Sequence, residues 1–256
     1  MRNNDRELPL EFSSIVDDFF MSVSVLTNLP LPTSRETVLH FYEAVQKEFP
    51  DMTSFYSRET GEFVLEGNRD SGSYGWVEIH PTRLSAGYFN PNNLELAFNM
   101  QRWLLHRSTY FLGMSGLDIE AIDVCFGFNI EYEGNRDAIV SEALLANSPL
   151  AQFANLPGVK PLQCEPSITI AMDEDCCLQS RLVLETRSSS HEVRTGDYES
   201  EPITVYFTVR RYPKQGELMD MHKTFEQNRE ICEDYSCRVL VPHVIGPIVT
   251  AISSSR

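Results

Sequence analysis

Four side chains in this chain could handle charge at matching places: Asp18 and Asp123, and Arg35 and Arg136. Asp18 opens the run Asp-Phe-Phe-Met-Ser-Val-Ser-Val, and Asp123 opens Asp-Val-Cys-Phe-Gly-Phe-Asn-Ile, so each acid stands at a strand entry. Two carboxylates brought close together repel, which raises a pKa and makes a proton-handling pair. Arg35 and Arg136 each follow a residue suited to capping a helix, Ser34 and Asn135. Backbone N–H groups at such a start favour anions, so these arginines are candidates to hold a carboxylate or phosphate. The bland alternatives are strand-entry acids, and arginines paired with an acid from the other half of the chain.

Other reactive groups are sparse. Cys232 and Cys237 are followed by His243, and Cys176 adjoins Cys177. No second Cys/His pair has the compact spacing of a structural zinc site, so the thiols read as small apolar side chains. The phosphate loop, the dinucleotide fingerprint, the zinc helix and the strained nucleophile elbow have no match in the chain. No cofactor or metal is expected. The histidines form no Ser/His/Asp or Cys/His arrangement.

The elements that would position these residues occur twice. Phe19, Met21, Val23 and Val25 share one face of a strand, as do Val124, Phe126, Phe128 and Ile130 of another. Ser22 and Ser24, with Gly127 and Asn129, take the opposite faces and form a candidate docking surface with room for another chain. Ser34-Arg-Glu and Asn135-Arg-Asp then start helices, each with an acid in the dipole-favoured first turn. Strands are predicted at Ser54–Ser57, Glu62–Glu66, Tyr74–Ile79 and Leu84–Phe89, before a helix from Leu94 to about Arg107. In the second half they fall at Ser167–Met172, Leu178–Arg187 and Ile203–Arg211, before a helix from Glu217 to about Tyr235.

The fold expected is therefore α+β: an internal duplication of a strand–helix–meander–helix unit. Residues 1–112 and 113–235 form two repeats in one pseudo-twofold antiparallel sheet, with helices on one face. This order of elements resembles the duplicated saddle of the TATA-box binding protein family, as a pattern of elements over Ile15–Tyr235 and without that family's sequence motifs. The resemblance implies two fused sheets; it does not imply DNA binding, because minor-groove saddles need basic surfaces.

Two stretches fall outside the plan. Arg187 to Pro202 is a long polar connection and reads as a mobile hairpin tip. Residues 236–256 are an apolar carboxyl-terminal segment, read as a cover for the protein's own core, with docking onto a second copy as the alternative. Pro247 is expected to kink or end any helix there.

With 256 residues, the chain suits one large domain or two compact ones. A net charge of −16, with only Lys47, Lys160, Lys214 and Lys223 as lysines, argues against nucleic acid. No run of about 18 apolar residues occurs, so no membrane span is expected. Six cysteines in a chain of this length suit reduced thiols and a cytoplasmic location. The function expected is a non-catalytic binding or assembly module for a protein partner of basic or mixed charge. The alternative is an enzyme or sensor for a small anionic metabolite at the interface between the repeats.

Overall fold

The computed structural model describes residues 12, 14–154 and 156–255. Helix and strand are mixed, and the strands form one antiparallel sheet. The first half runs β1 (Asp18–Thr27), α1 (Arg35–Glu48), β2 (Met52–Ser57), β3 (Phe63–Gly67), β4 (Tyr74–His80), β5 (Arg83–Phe89) and α2 (Leu94–Phe111). The second begins with β6 (Ile119–Glu131), α3 (Arg136–Val140), α4 (Ala151–Ala154), β7 (Ser167–Ala171) and β8 (Leu178–Glu185). It continues with α5 (Ser190–Thr195), β9 (Pro202–Arg211), α6 (Met221–Tyr235) and α7 (Gly246–Ser255).

The strand order is β2-β3-β4-β5-β1-β6-β9-β8-β7. β1 and β6 lie side by side at the centre, with Met21 opposite Phe126 and Val23 opposite Val124. Alternation explains their placement: Phe19, Met21, Val23 and Val25 are all buried, and so are Val124, Phe126, Phe128 and Ile130. These residues face the helices. On that side α6 sends the Asn228 amide to the carbonyls of Ile122 and Val209, 3.0 and 3.4 Å away. The opposite face, on which no helix packs among the described residues, is the one that displays Ser22, Ser24 and Asn129.

Local signals set the helix starts. Ser34 accepts from the Thr37 N–H, Asn93 from that of Glu95, Asn135 from that of Ala138 and Asp220 from that of Lys223. The last start lies four residues beyond the expected Glu217, because Asp220 is the side chain that caps.

Two expectations need correction. The stretch read as a mobile tip is ordered: Ser189 and Glu192 close a capping box around α5, and Gly196 ends it at φ 77°. The carboxyl-terminal helix does not end at Pro247. Met221 to Ser255 is one continuous helix, 35 residues long, through both Pro242 and Pro247. Ser236–Ile245 is wound as a π-helix, which moves the backbone pairing away from the carbonyl that a proline ring would strike. By length and composition alone this helix could cross a membrane. In the fold, Leu240, Val244, Ile245, Ile248 and Ile252 are buried in the core.

Candidate binding face of the sheet

The helix-free face is built from alternate residues of every strand. Across its middle runs a row of aromatic rings contributed by β4, β5, β1 and β9. Tyr74 stacks on Phe89 at 5.4 Å, Phe89 on Phe20 at 6.4 Å, and Phe20 meets Tyr206 edge-on at 5.7 Å. All four are half-buried. Phe20 sits over Gly127, its directly paired neighbour, and a Cβ there would lie 2.0 Å from the ring. Trp76 covers Gly87 in the same way. The small residues expected to leave room on this face are, at Gly127, the seat of an aromatic ring.

Charges flank the row in opposed pairs. Arg69 bonds both oxygens of Glu66 at 2.9 and 2.8 Å, and its guanidinium lies 6.0 Å from the Tyr74 ring. His80 contacts Glu62 and Glu78 at 3.0 and 3.1 Å, and Arg58 reaches Glu78 at 2.8 Å. On the other half, Arg210 grips Asp123 with two hydrogen bonds of 2.7 and 2.6 Å. That hydrogen bonding lifts the Arg210 pKa above its ordinary value and keeps the guanidinium charged. Asp123 and Arg210 line a pocket of about 240 Å³ with Arg181, Thr208, Thr169 and Gln179. Arg181 is exposed there and makes no ion pair among the described residues. Donors converging on such a space suit a small carboxylate or phosphate.

The four candidate residues land in four different settings. Asp18 accepts from the Asn90 amide at 2.6 Å, and Asn90 accepts from the Phe19 N–H at 2.7 Å. Asn90 turns at φ 45°, so Asp18 pins the left-handed corner that ends β5. Asp123 pairs across from Ser24, whereas Asp18 faces Asn129. The antiparallel register thus separates the two acids by six residues along the strands, roughly 20 Å at about 3.3 Å per residue. They form no proton-handling pair.

Arg35 is exposed at the first position of α1. Arg136, the corresponding first residue of α3, is completely buried. Its guanidinium donates to the carbonyls of Thr186 and Glu199 at 2.7 and 2.8 Å, and to the Glu192 carboxylate at 3.0 Å. Its acid therefore comes from its own half, not from the other as expected. Glu192 also accepts from the N–H groups of Ser189 and Glu199, and the Ser189 bond does most to hold its pKa down at about 2. Arg136 organises the 187–201 connection and is closed to ligand. The neighbouring Asp137 takes the Cys164 N–H and the Thr186 hydroxyl on one oxygen, and its other oxygen has no partner among the described residues.

Two thiols, Cys125 and Cys232, are held protonated by their placement. Burial pushes Cys125 up to about 11 and holds Cys232 well above the ordinary thiol value. None of the six cysteines is in a disulfide. Among the described residues, no three His, Cys, Asp or Glu gather at metal-binding distance.

Of the residues that shape this face, the sequence reading missed Tyr74, Trp76, Phe89, Tyr206, Arg181 and Arg210. The signal was present: Tyr206, Thr208 and Arg210 alternate against the buried Val205, Phe207 and Val209. No protein-family model matches the sequence, and no curated protein matches it. The crystal structure of the di-domain ARO/CYC StfQ from the steffimycin biosynthetic pathway aligns with 93% of this chain and 98% of its own, at 10% identity. Its TM-score of 0.19 carries neither fold nor function across.

Proposed function

We propose that this protein is a non-catalytic binding module whose helix-free sheet face receives a protein partner of basic or mixed charge. The carrying observation is the aromatic row of Tyr74, Phe89, Phe20 and Tyr206, left half-buried with no layer of helices above it among the described residues. Interface centres are enriched in aromatics and arginine, and their rims are polar, as the Glu66–Arg69 and Asp123–Arg210 pairs would be here. A net charge of −16 speeds encounter with a basic surface. A cytoplasmic location suits six cysteines outside any disulfide. The test is site-specific photo-crosslinking in cells. Probes at Ser22 and Tyr206 should capture one and the same protein, and a probe at Glu43 on α1 should not. Capture from Glu43 alone would refute the reading.

A second reading rests on the pocket of Arg181, Arg210 and Thr169: a site for a small anionic metabolite. A metabolite carboxylate or phosphate that stabilises the wild type against heat, but not Arg181→Ala, would favour it.

We further propose that the chain arose by internal duplication, in the TBP-like topology. What supports this is the strand order, which reads alike outward from the β1–β6 pair, and the capped helix with a leading arginine that follows each central strand. The halves have since diverged: α1 runs 14 residues, whereas α3 has five before its π-wound extension, and the second half has one strand fewer.

A further inference from the structure

The sheet ends at β2 on one side and at β7 on the other. All five residues of β7 are exposed. Ile168 and Ile170 point to the helix-bearing side of the sheet, yet they are 58% and 47% exposed. At the other edge, Phe55 of β2 rests against the Tyr42 ring of α1 at 5.4 Å. Natural edge strands are usually blunted by lysine, proline or an inward charge; Ser-Ile-Thr-Ile-Ala has none of these.

The hydrogen bonding of this edge can be worked out. Leu184 N–H bonds the Pro166 carbonyl and Met172 N–H bonds the Leu178 carbonyl, in the same register that pairs Ile168 with Leu182. Antiparallel ladders alternate, so the even-numbered residues of β7 bond inward to β8. Ser167, Thr169 and Ala171 therefore direct their N–H and C=O groups outward, and among the described residues β7 pairs with β8 alone.

We propose that β7 is a homodimer interface, in which the edges of two copies pair antiparallel about Thr169. A twofold axis there sets Ser167 against Ala171 and Ile168 against Ile170 of the second copy. The outward groups of Ser167, Thr169 and Ala171 then face their own counterparts as hydrogen-bonded pairs. The strand is self-complementary, which an isologous contact requires. The four isoleucines meet on one face, where apolar cross-strand pairs are favourable. Charge selects the occupant. Two chains of net charge −16 repel over most of their surfaces, but residues 143–172 hold only Lys160 and Glu165 as charged side chains. A basic partner would find acids only at the ends of β7, Glu165 before it and Asp173-Glu-Asp175 after it, whereas the strand itself is uncharged and meets a second copy without repulsion along its own length. The same stretch exposes Leu150, Phe153 and Leu162. The two sheets would join into one continuous sheet across the dyad.

Sedimentation velocity over a concentration series of the full chain tests this. The wild type should move from 29.2 kDa towards twice that mass. Ile168→Lys and Thr169→Pro should each weaken association by at least about 100-fold. Neither change removes a bond to β8, and circular dichroism melts check that folding survives; should Thr169→Pro fail to fold, Ile168→Lys decides. In the dimer, amide exchange should slow at Ser167, Thr169 and Ala171 and stay unchanged at Ile168 and Ile170. A wild type that is monomeric throughout would overturn the proposal. So would a dimer that withstands Ile168→Lys, or one dispersed only by Val239→Lys on the carboxyl-terminal helix.

Discussion

Arg35 and Arg136 occupy the same local position, the first helical residue after a capping side chain. Their surroundings make opposite demands. Replacing Arg136 by Met would strand the Glu192 carboxylate and the carbonyls of Thr186 and Glu199 in the interior. Breaking a buried pair from one side costs roughly 3–5 kcal/mol, and that is the loss expected in chemical denaturation. Arg35→Met should stay within about 0.5 kcal/mol of wild type. The cap itself was legible, because Ser34 and Asn135 act on backbone within three residues. The burial of Arg136 was not, because its partners are supplied 50 to 65 residues away by a stretch whose polar composition reads as solvated. The same limit hid the separation of Asp18 from Asp123: equivalent places in two strands become opposite ends once those strands pair antiparallel.

Strands were the most legible elements, since alternation is a period-two pattern within one segment and the face it marks is the face that buries. Its complement was read only at the small residues Ser22, Ser24, Gly127 and Asn129: the parity that buried Met21 and Phe126 also lined up Phe20, Phe89 and Tyr206 on the same face. At Gly127 the three nearest atoms that a Cβ would meet all belong to the Phe20 ring, whereas at Gly87 they include the Met21 carbonyl at 2.6 Å beside the Trp76 ring. Gly127→Ala should cost roughly 1–3 kcal/mol, and Phe20→Ala should relieve much of that in a double-mutant cycle. Gly87→Ala should not be relieved by Trp76→Ala, because the carbonyl remains in place. Denaturant midpoints of the single and double variants measure both cycles. The long carboxyl-terminal helix was misjudged for a different reason. Proline rules describe α-helical pairing, and here tertiary packing of Leu240, Val244 and Ile248 holds a π-wound turn that the rule does not cover.

For the molecule as a whole, that helix closes the core. Deleting Val239–Arg256 removes Leu240, Val244, Ile245, Ile248 and Ile252, each worth roughly 1.5–3 kcal/mol of burial, from a fold whose total stability is about 5–15 kcal/mol. The truncated chain should be insoluble or lack fixed near-ultraviolet circular dichroism. A soluble, cooperatively melting truncation would show that the helix is dispensable to the core. The sheet order also sets a schedule for biosynthesis. β1 is flanked by β5 and β6, and β6 in turn by β9, so the central strand is made first and its neighbours come roughly 60 and 100 residues later. At about 5–20 residues per second on the ribosome, β1 waits for seconds with Phe19, Met21, Val23 and Val25 uncovered. A nascent chain halted before β5 should therefore present this apolar face and be bound by a holdase chaperone, which pull-down of stalled ribosomes would show.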